Sequence, residues 1–346
     1  MRVLVTGGTG FVGGWSAAAL RRAGHDVRFL VRNRERLDPV AALGVVTTDH
    51  VVGDVTDPAA VHSALEGCDA VLHCAAMVAT DPRRDAEVQA TNLTGAETVL
   101  GTAVALGLDP VVHTSSITAV FTPGVTELRS DLPTGRVRDA YGVSKSAVED
   151  YARGLQADGH PVTITYPGMV VGPGVGSRFG EVAEGFETIL QTHIVPGSAA
   201  GWLVVDVRDL AAIHAAVMVP GAGPRRYMAG GTHLDAGRLT ALFREVTGNR
   251  ILRIPMPGVG LRLAGSVVDM VTGLTGWTTP LTRAAMDYYT QMPASDDTAV
   301  RDELGVTYRD VAETFRDCVA SLAATGRITP AQAGEAGRAS AGEQHR

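Results

Sequence analysis

The chain has 346 residues, 45% of them hydrophobic and 19% charged, and carries a formal net charge of -7. This is the balance of a globular chain with a real core, and it gives no reason to expect a nucleic-acid partner, because a polyanion is repelled on average. Three cysteines, Cys68, Cys74 and Cys318, none in a CxxC pair, argue against a disulfide framework or a zinc site, so no metal is expected. Apolar runs are too short to span a bilayer, and Met1 runs straight into a strand-like segment with no room for a signal peptide. The expected location is cytoplasmic.

In chain order, strands are predicted at 3–5, 27–31, 45–52, 70–73, 111–114 and 162–166, short and rich in β-branched residues. They do not alternate strictly, as befits strands buried on both faces. Helical patterns fall between them at 13–23, 58–65, 85–106 and 141–155. Such alternation predicts an α/β fold with a doubly wound parallel sheet. Beyond Pro167 a glycine-rich loop at 168–180 leads to a helix at 181–192, then a strand and helix over 203–219 and a strand at 226–229. From Leu234 onward the pattern is mainly helical and predicts a smaller lobe. The polar tail 330–346 reads as disordered.

The first strand runs into Thr6-Gly7-Gly8-Thr9-Gly10-Phe11-Val12-Gly13 and then a helix, a TGxxGxxG pattern. Gly7 permits the tight turn, Gly10 lets backbone approach a pyrophosphate, and Gly13 lets the helix pack on the strand. The helix N-terminus adds N–H groups and a positive dipole end. Gly7, Thr9, Gly10, Phe11, Val12 and Gly13 are therefore assigned to a dinucleotide. The second strand ends Leu30-Val31-Arg32, with arginine where a carboxylate would take the adenosine ribose hydroxyls. A guanidinium grips a 2′-phosphate instead, so NADP(H) is preferred over NAD(H), although a solvated surface arginine is the alternative.

Tyr141-Gly142-Val143-Ser144-Lys145 carries the most chemistry. Positions i and i+4 share one helical face, so an ammonium at 145 favours the phenolate at 141 and tunes it for proton transfer. Lys145 is also expected to hydrogen-bond a nicotinamide ribose. The fifth strand ends His113-Thr114-Ser115-Ser116, which places hydroxyls at the carboxyl edge of the sheet, where ligands of open α/β sheets bind.

Together these motifs resemble the extended short-chain dehydrogenase/reductases, within the NAD(P)-dependent epimerase/dehydratase superfamily. Gly13-Gly14-Trp15 is similar to the dihydroflavonol-reductase-like and 3β-hydroxysteroid-dehydrogenase-like branch. The resemblance is specific over about residues 3–231. It implies Ser116, 25 residues before Tyr141, as the hydroxyl of a Ser–Tyr–Lys set, with Ser115 as fallback. It implies adenine contacts from Asp54-Val55, although Asp54 also reads as a turn aspartate. Ala75 and Ala76 of His73-Cys74-Ala75-Ala76 are implied beneath the cofactor, and Asn92 as a residue ordering backbone nearby; His73 receives no chemistry. Tyr166-Pro167-Gly168-Met169-Val170-Val171-Gly172-Pro173 resembles an RPxxxxGP segment, placing Pro167 and Val170 along the nicotinamide. Tyr166 stands where many relatives have arginine, so no role passes to its side chain.

The implied organisation is a dinucleotide-binding domain at 1–168 and 203–231 and a substrate lobe at 169–202 and 232–329. The implied reaction is hydride transfer between NADP(H) and a carbonyl or alcohol carbon of a small-molecule substrate, bulky and apolar by analogy with the branch. Nucleotide-sugar epimerisation or dehydration is the alternative, with Ile117 and Thr118 standing where dehydratases carry an Asp-Glu pair. A non-catalytic NADP-binding regulator is a further one. A homodimer is compatible with the sequence. The apolar segment 259–277 reads as a lobe helix, with a substrate cap, an oligomer contact or a membrane-touching surface as alternatives. Phe179, Phe186 and Trp202 are pocket or core residues.

Overall fold

Val3, Leu4 and Val5 are all fully buried, because β1 (Arg2–Thr6) has a helical layer on each side. Val3 and Val5 enter one core with Ala17, Ala18 and Leu20 of α1 (Phe11–Arg22), whereas Leu4 enters another with Val61, Ala64 and Leu65 of the opposite layer. Successive side chains of a strand point to opposite faces, so two cores demand an apolar residue at every position. The computed structural model describes residues 1–77, 85–135, 140–180, 182–197, 201–275 and 282–338. The side chains of residues 85, 140, 141, 272–275 and 284 also lie outside the described part.

The first half continues with β2 (Asp26–Val31), α2 (Asp38–Ala41), β3 (His50–Val52), α3 (Pro58–Leu65), β4 (Ala70–His73), α4 (Asp85–Ala105), β5 (Val111–Thr114), α5 (Ala140–Ala157) and β6 (Val162–Pro167). Then follow β7 (Met169–Val171), α6 (Val182–Thr192), β8 (Ile194–Pro196), β9 (Gly201–Asp206), α7 (Val207–Ala216) and β10 (Arg225–Ala229). The chain goes on through β11 (Thr232–Asp235), α8 (Ala236–Thr247), β12 (Leu252–Ile254), α9 (Gly258–Thr275), α10 (Arg283–Gln291), α11 (Thr298–Leu304), α12 (Val311–Ala324) and α13 (Pro330–Ala333). Seven parallel strands form the main sheet in the order β10-β6-β5-β4-β1-β2-β3, a doubly wound Rossmann-like arrangement. The order reverses between β1 and β4, the place where such sheets open a ligand crevice.

The lobe has its own core of Phe186, Phe243, Phe315 and aliphatic neighbours. Phe186 and Trp202 are core residues there, and Phe179 is half-buried beneath Arg327. Helix α9 exposes Val259, Leu263, Val267 and Met270 along its outer side while Gly265 packs on Arg283. Trp277 lies outside the described residues. No helix among the described residues is long and apolar enough to cross a membrane.

Four expectations change, the first being that the loop predicted at 168–180 opens with strand β7 over Met169–Val171. The strand predicted at 45–52 is confined to His50–Val52. Residues 203–206 leave the main sheet: β9 pairs with β7 and β11, because the chain changes sheets at Gly168, where a Cβ would sit 2.4 Å from Gly230 O. The tail reading fails for 330–338. Thr329 and Gln332 form a capping box at the start of α13, and Ala333 and Ala336 are buried in the lobe core.

Candidate active site

The glycine turn lies at the sheet's point of reversal. Gly7 has φ +68°, and a Cβ on it would meet Ala75 N and Cys74 C at 2.7 Å, so the turn is pressed against the segment leaving β4. At Gly13 a Cβ would lie 2.3 Å from Gly7 O, which ties close helix–strand packing to this position. Gly10 differs: its Cβ would meet only Gly7 O, at 3.1 Å, with open space beyond. No side chain caps the N-terminus of α1 and its first turn carries no acidic residue, so its N–H groups and dipole end remain available to an anion. These features fit a dinucleotide pyrophosphate. Gly8, which the sequence reading passed over, packs against the Phe29 ring.

Beside the turn, Thr6 Oγ1 and His73 Nδ1 are 2.8 Å apart, and Ala75 N donates to Thr6 Oγ1 at 3.3 Å. Ala76 is exposed. Asn92 clasps Met77, accepting from its N–H at 2.6 Å and donating to its carbonyl at 2.9 Å. The same amide donates to Ser144 Oγ at 3.0 Å, linking α4 to the residue before Lys145.

Lys145 is 7% exposed on α5, near enough to the ends of β4 and β5 for its charge to act on His73 and His113. Burial, reinforced by the Lys145 ammonium, lowers His73 to about 3. His113, stacked on His73 with ring centroids 5.6 Å apart, is likewise lowered by burial, His73 and Lys145. Burial drives the Cys74 thiol up to about 12 despite its contact with Thr114 Oγ1 and the nearby ammonium, so it is no nucleophile. Deeper still, His214 bonds Ser16 Oγ at 2.8 Å and Thr165 Oγ1 at 3.2 Å, and burial holds it near a pKa of about 3.

Tyr141 stands on the first turn of α5, four residues before Lys145; its side chain lies outside the described residues. Ser116 follows β5 and caps the short helix 117–119, its Oγ accepting from Thr118 N at 3.2 Å and Thr118 Oγ1 at 3.0 Å. Its own hydroxyl hydrogen is left to donate. Ser115 is committed elsewhere, donating to Glu149 Oε2 at 2.8 Å. Glu149 is fully buried and also accepts from Arg153 Nε at 2.6 Å and from the Tyr166 phenol. Tyr166 therefore turns into the core under α5, and burial raises its phenol far above the ordinary range. This network was missed in the sequence, yet Glu149 and Arg153 follow Lys145 by one and two helical turns.

At the outer strands, Arg32 is exposed at the end of β2, with no hydrogen bond or ion pair among the described residues. Asp54 Oδ1 accepts from Thr56 N at 3.0 Å and Thr56 Oγ1 at 2.8 Å; the cap of α3 is Asp57. Val55 is half-buried against Gly95 of α4. Pro167 ends β6, while Val170 packs with Phe11, Phe179 and Gly180 where the lobe meets the turn. Val12 is half-buried, and its carbonyl accepts from Ser16 Oγ at 2.8 Å. Thr9 offers its carbonyl to Arg178, a residue the sequence reading did not single out.

Residues 3–230 match the model of the NAD dependent epimerase/dehydratase family. The chain is 28% identical over 350 residues to sterol demethylase protein B of Methylococcus capsulatus, covering 95% of this chain and 100% of that one. It is 31% identical over 204 residues to a 3-beta-hydroxysteroid dehydrogenase of Mycolicibacterium neoaurum, covering 56% and 53% of the two chains. In fold it is similar to a UDP-glucose-4-epimerase of Stenotrophomonas maltophila solved with bound NAD, with TM-score 0.75 and 18% identity over 95% and 100% of the chains.

Proposed function

The chain belongs to the NAD dependent epimerase/dehydratase family, and from that premise we propose an NADP(H)-dependent oxidoreductase that interconverts a ketone or aldehyde and an alcohol. Oxidoreduction is the activity in the names of several relatives, among them a ketoreductase of Stigmatella aurantiaca and the 3-beta-hydroxysteroid dehydrogenase. The observation that carries the reading is the burial of Lys145 beside the carboxyl ends of β4 and β5, one helical turn after Tyr141.

A bound nicotinamide dinucleotide supplies or takes up the hydride. Gly7, Thr9, Gly10, Phe11, Val12 and Gly13 would hold its pyrophosphate, Arg32 the 2′-phosphate, and Asp54 with Val55 the adenine. Ala75, Ala76, Asn92, Pro167 and Val170 would line the nicotinamide side. Tyr141 gives a proton to the substrate oxygen in reduction and takes it back in oxidation. Lys145 stabilises the phenolate through its charge, and Ser116 donates its free hydroxyl hydrogen to the same oxygen. Asn92 holds Met77 and Ser144 in place around the lysine.

A bulky, apolar substrate is supported by the name of the steroid dehydrogenase relative. The test is a panel of ketones, sterols and nucleotide sugars with NADPH and NADH, followed at the nicotinamide absorbance band. Turnover of apolar ketones with NADPH supports the proposal. Interconversion of nucleotide sugars without net change at that band would replace it with epimerisation.

A further inference from the structure

The loop at 172–180, between β7 and α6, crosses back over the glycine turn. Trp15 Nε1 donates to Pro173 O at 2.8 Å, and a Cβ on Gly14 would lie 3.2 Å from Val175, so the loop rests directly on α1. Farther along, Arg178 Nη1 donates to Thr9 O and, at 2.8 Å, to Arg36 O. One guanidinium thereby fastens three segments that are distant in sequence: the turn after β1, the stretch after β2, and the loop itself.

Arg178 is half-buried, and its Nε and Nη2 groups have no partner among the described residues. Nor does Arg32, Arg34, Arg36 or Arg178 form an ion pair with a carboxylate among those residues. By contrast, Arg208 pairs with Asp206 and Asp317, and Arg309 with Asp209 and Glu313. Burial and the neighbouring Arg36 both press against the charge on Arg178. A partly desolvated cation beside a like charge is unfavourable until an anion joins it.

We infer that Arg178 is a specificity-determining residue, supplied from the lobe loop to complete with Arg32 a cationic grip on the adenosine 2′-phosphate. The inference rests on the NADP reading of the same site. Two backbone carbonyls fix one corner of the guanidinium, and the remaining N–H groups are free to take phosphate oxygens in the fork geometry arginine favours. Because the same side chain holds the loop on the turn, phosphate recognition and docking of residues 172–180 become one event.

NADP⁺ and NAD⁺ differ only in that phosphate, so calorimetric titration of the full chain with each isolates it. Arg178→Met is expected to weaken NADP⁺ binding by about tenfold or more while NAD⁺ binding shifts less than about threefold. Arg178→Lys, which keeps the charge but not the fork, is expected to fall between. Equal losses for both cofactors would mean that Arg178 merely fastens the loop, and unchanged affinities would mean that it does neither; each overturns the inference. A wild-type chain that binds NAD⁺ as tightly as NADP⁺ overturns the NADP reading itself, a result visible before any variant is compared. Should Arg178→Met fail to fold, the NADP⁺-to-NAD⁺ ratio of Arg178→Lys decides: an unchanged ratio sinks the assignment.

Discussion

Ser115 and Glu149 share a buried 2.8 Å hydrogen bond between the end of β5 and the middle of α5, and this contact separates two adjacent hydroxyls. Ser115 points into the network with Arg153 and Tyr166, whereas Ser116 caps residues 117–119 and keeps its hydrogen to donate. Ser116→Ala is expected to lower kcat by about a hundredfold or more with little change in melting temperature. Ser115→Ala is expected to cost about 1–3 kcal/mol of stability by leaving a buried carboxylate oxygen short of a donor, with kcat changed far less. Steady-state kinetics and urea unfolding on both variants check this; the reverse pattern would transfer the role to Ser115.

Tyr141→Phe removes the transferable proton and keeps the ring. Turnover is expected to fall by about a thousandfold while NADPH affinity changes little. Single-turnover rates and fluorescence titration with NADPH separate the two effects. Retained turnover would remove Tyr141 from the acid–base role.

Arg32→Asp replaces a phosphate ligand with a carboxylate suited to ribose hydroxyls. NADPH affinity is expected to drop by about tenfold or more and NADH affinity to hold or rise. A preference that does not move between the two proteins would show that Arg32 is a solvated surface residue.

Burial lowers His73 and His214 to about 3, with Lys145 adding to the effect at His73. An unfolded histidine titrates near about 6.5, so below that value the unfolded chain takes up protons that the folded chain refuses. The stability contribution is complete above the unfolded value and is lost as pH falls toward the folded one. Each histidine is expected to cost about 2 kcal/mol between about pH 7 and pH 5. Urea unfolding at both values should show this loss, and His214→Gln should show a smaller one. Parallel losses in the two proteins would mean that His214 is protonated in the fold.

Local signals made several elements legible. Helix α3 has the predicted bounds because Asp57 caps it and Pro58 occupies its first turn, and β4 and β5 match because apolar runs end at polar or glycine-rich breaks. The glycine turn was legible for the same reason, since one short segment carries its backbone demands. The departure of the chain at Gly168 was not, because it is set by Gly230 and Leu203 rather than by neighbours in sequence. Arg178 was hidden similarly: its partner Thr9 is 169 residues away, and nothing in a glycine-rich loop announces such a reach. Order in the tail depends on an alanine side packing against a lobe core that composition does not reveal.

The hydrogen bond between Ser16 and His214 joins residues 198 positions apart. During synthesis, α1 therefore leaves the ribosome long before the helix that covers it exists. The last strand of the main sheet, β10, follows only after β7 and β9 have been laid down in a different sheet. A nascent chain halted short of Ala229 presents the naked edge of β6, with backbone groups open to pairing by any extended segment nearby. The main sheet is consequently completed late, only once the chain has passed through β7, β9 and α7.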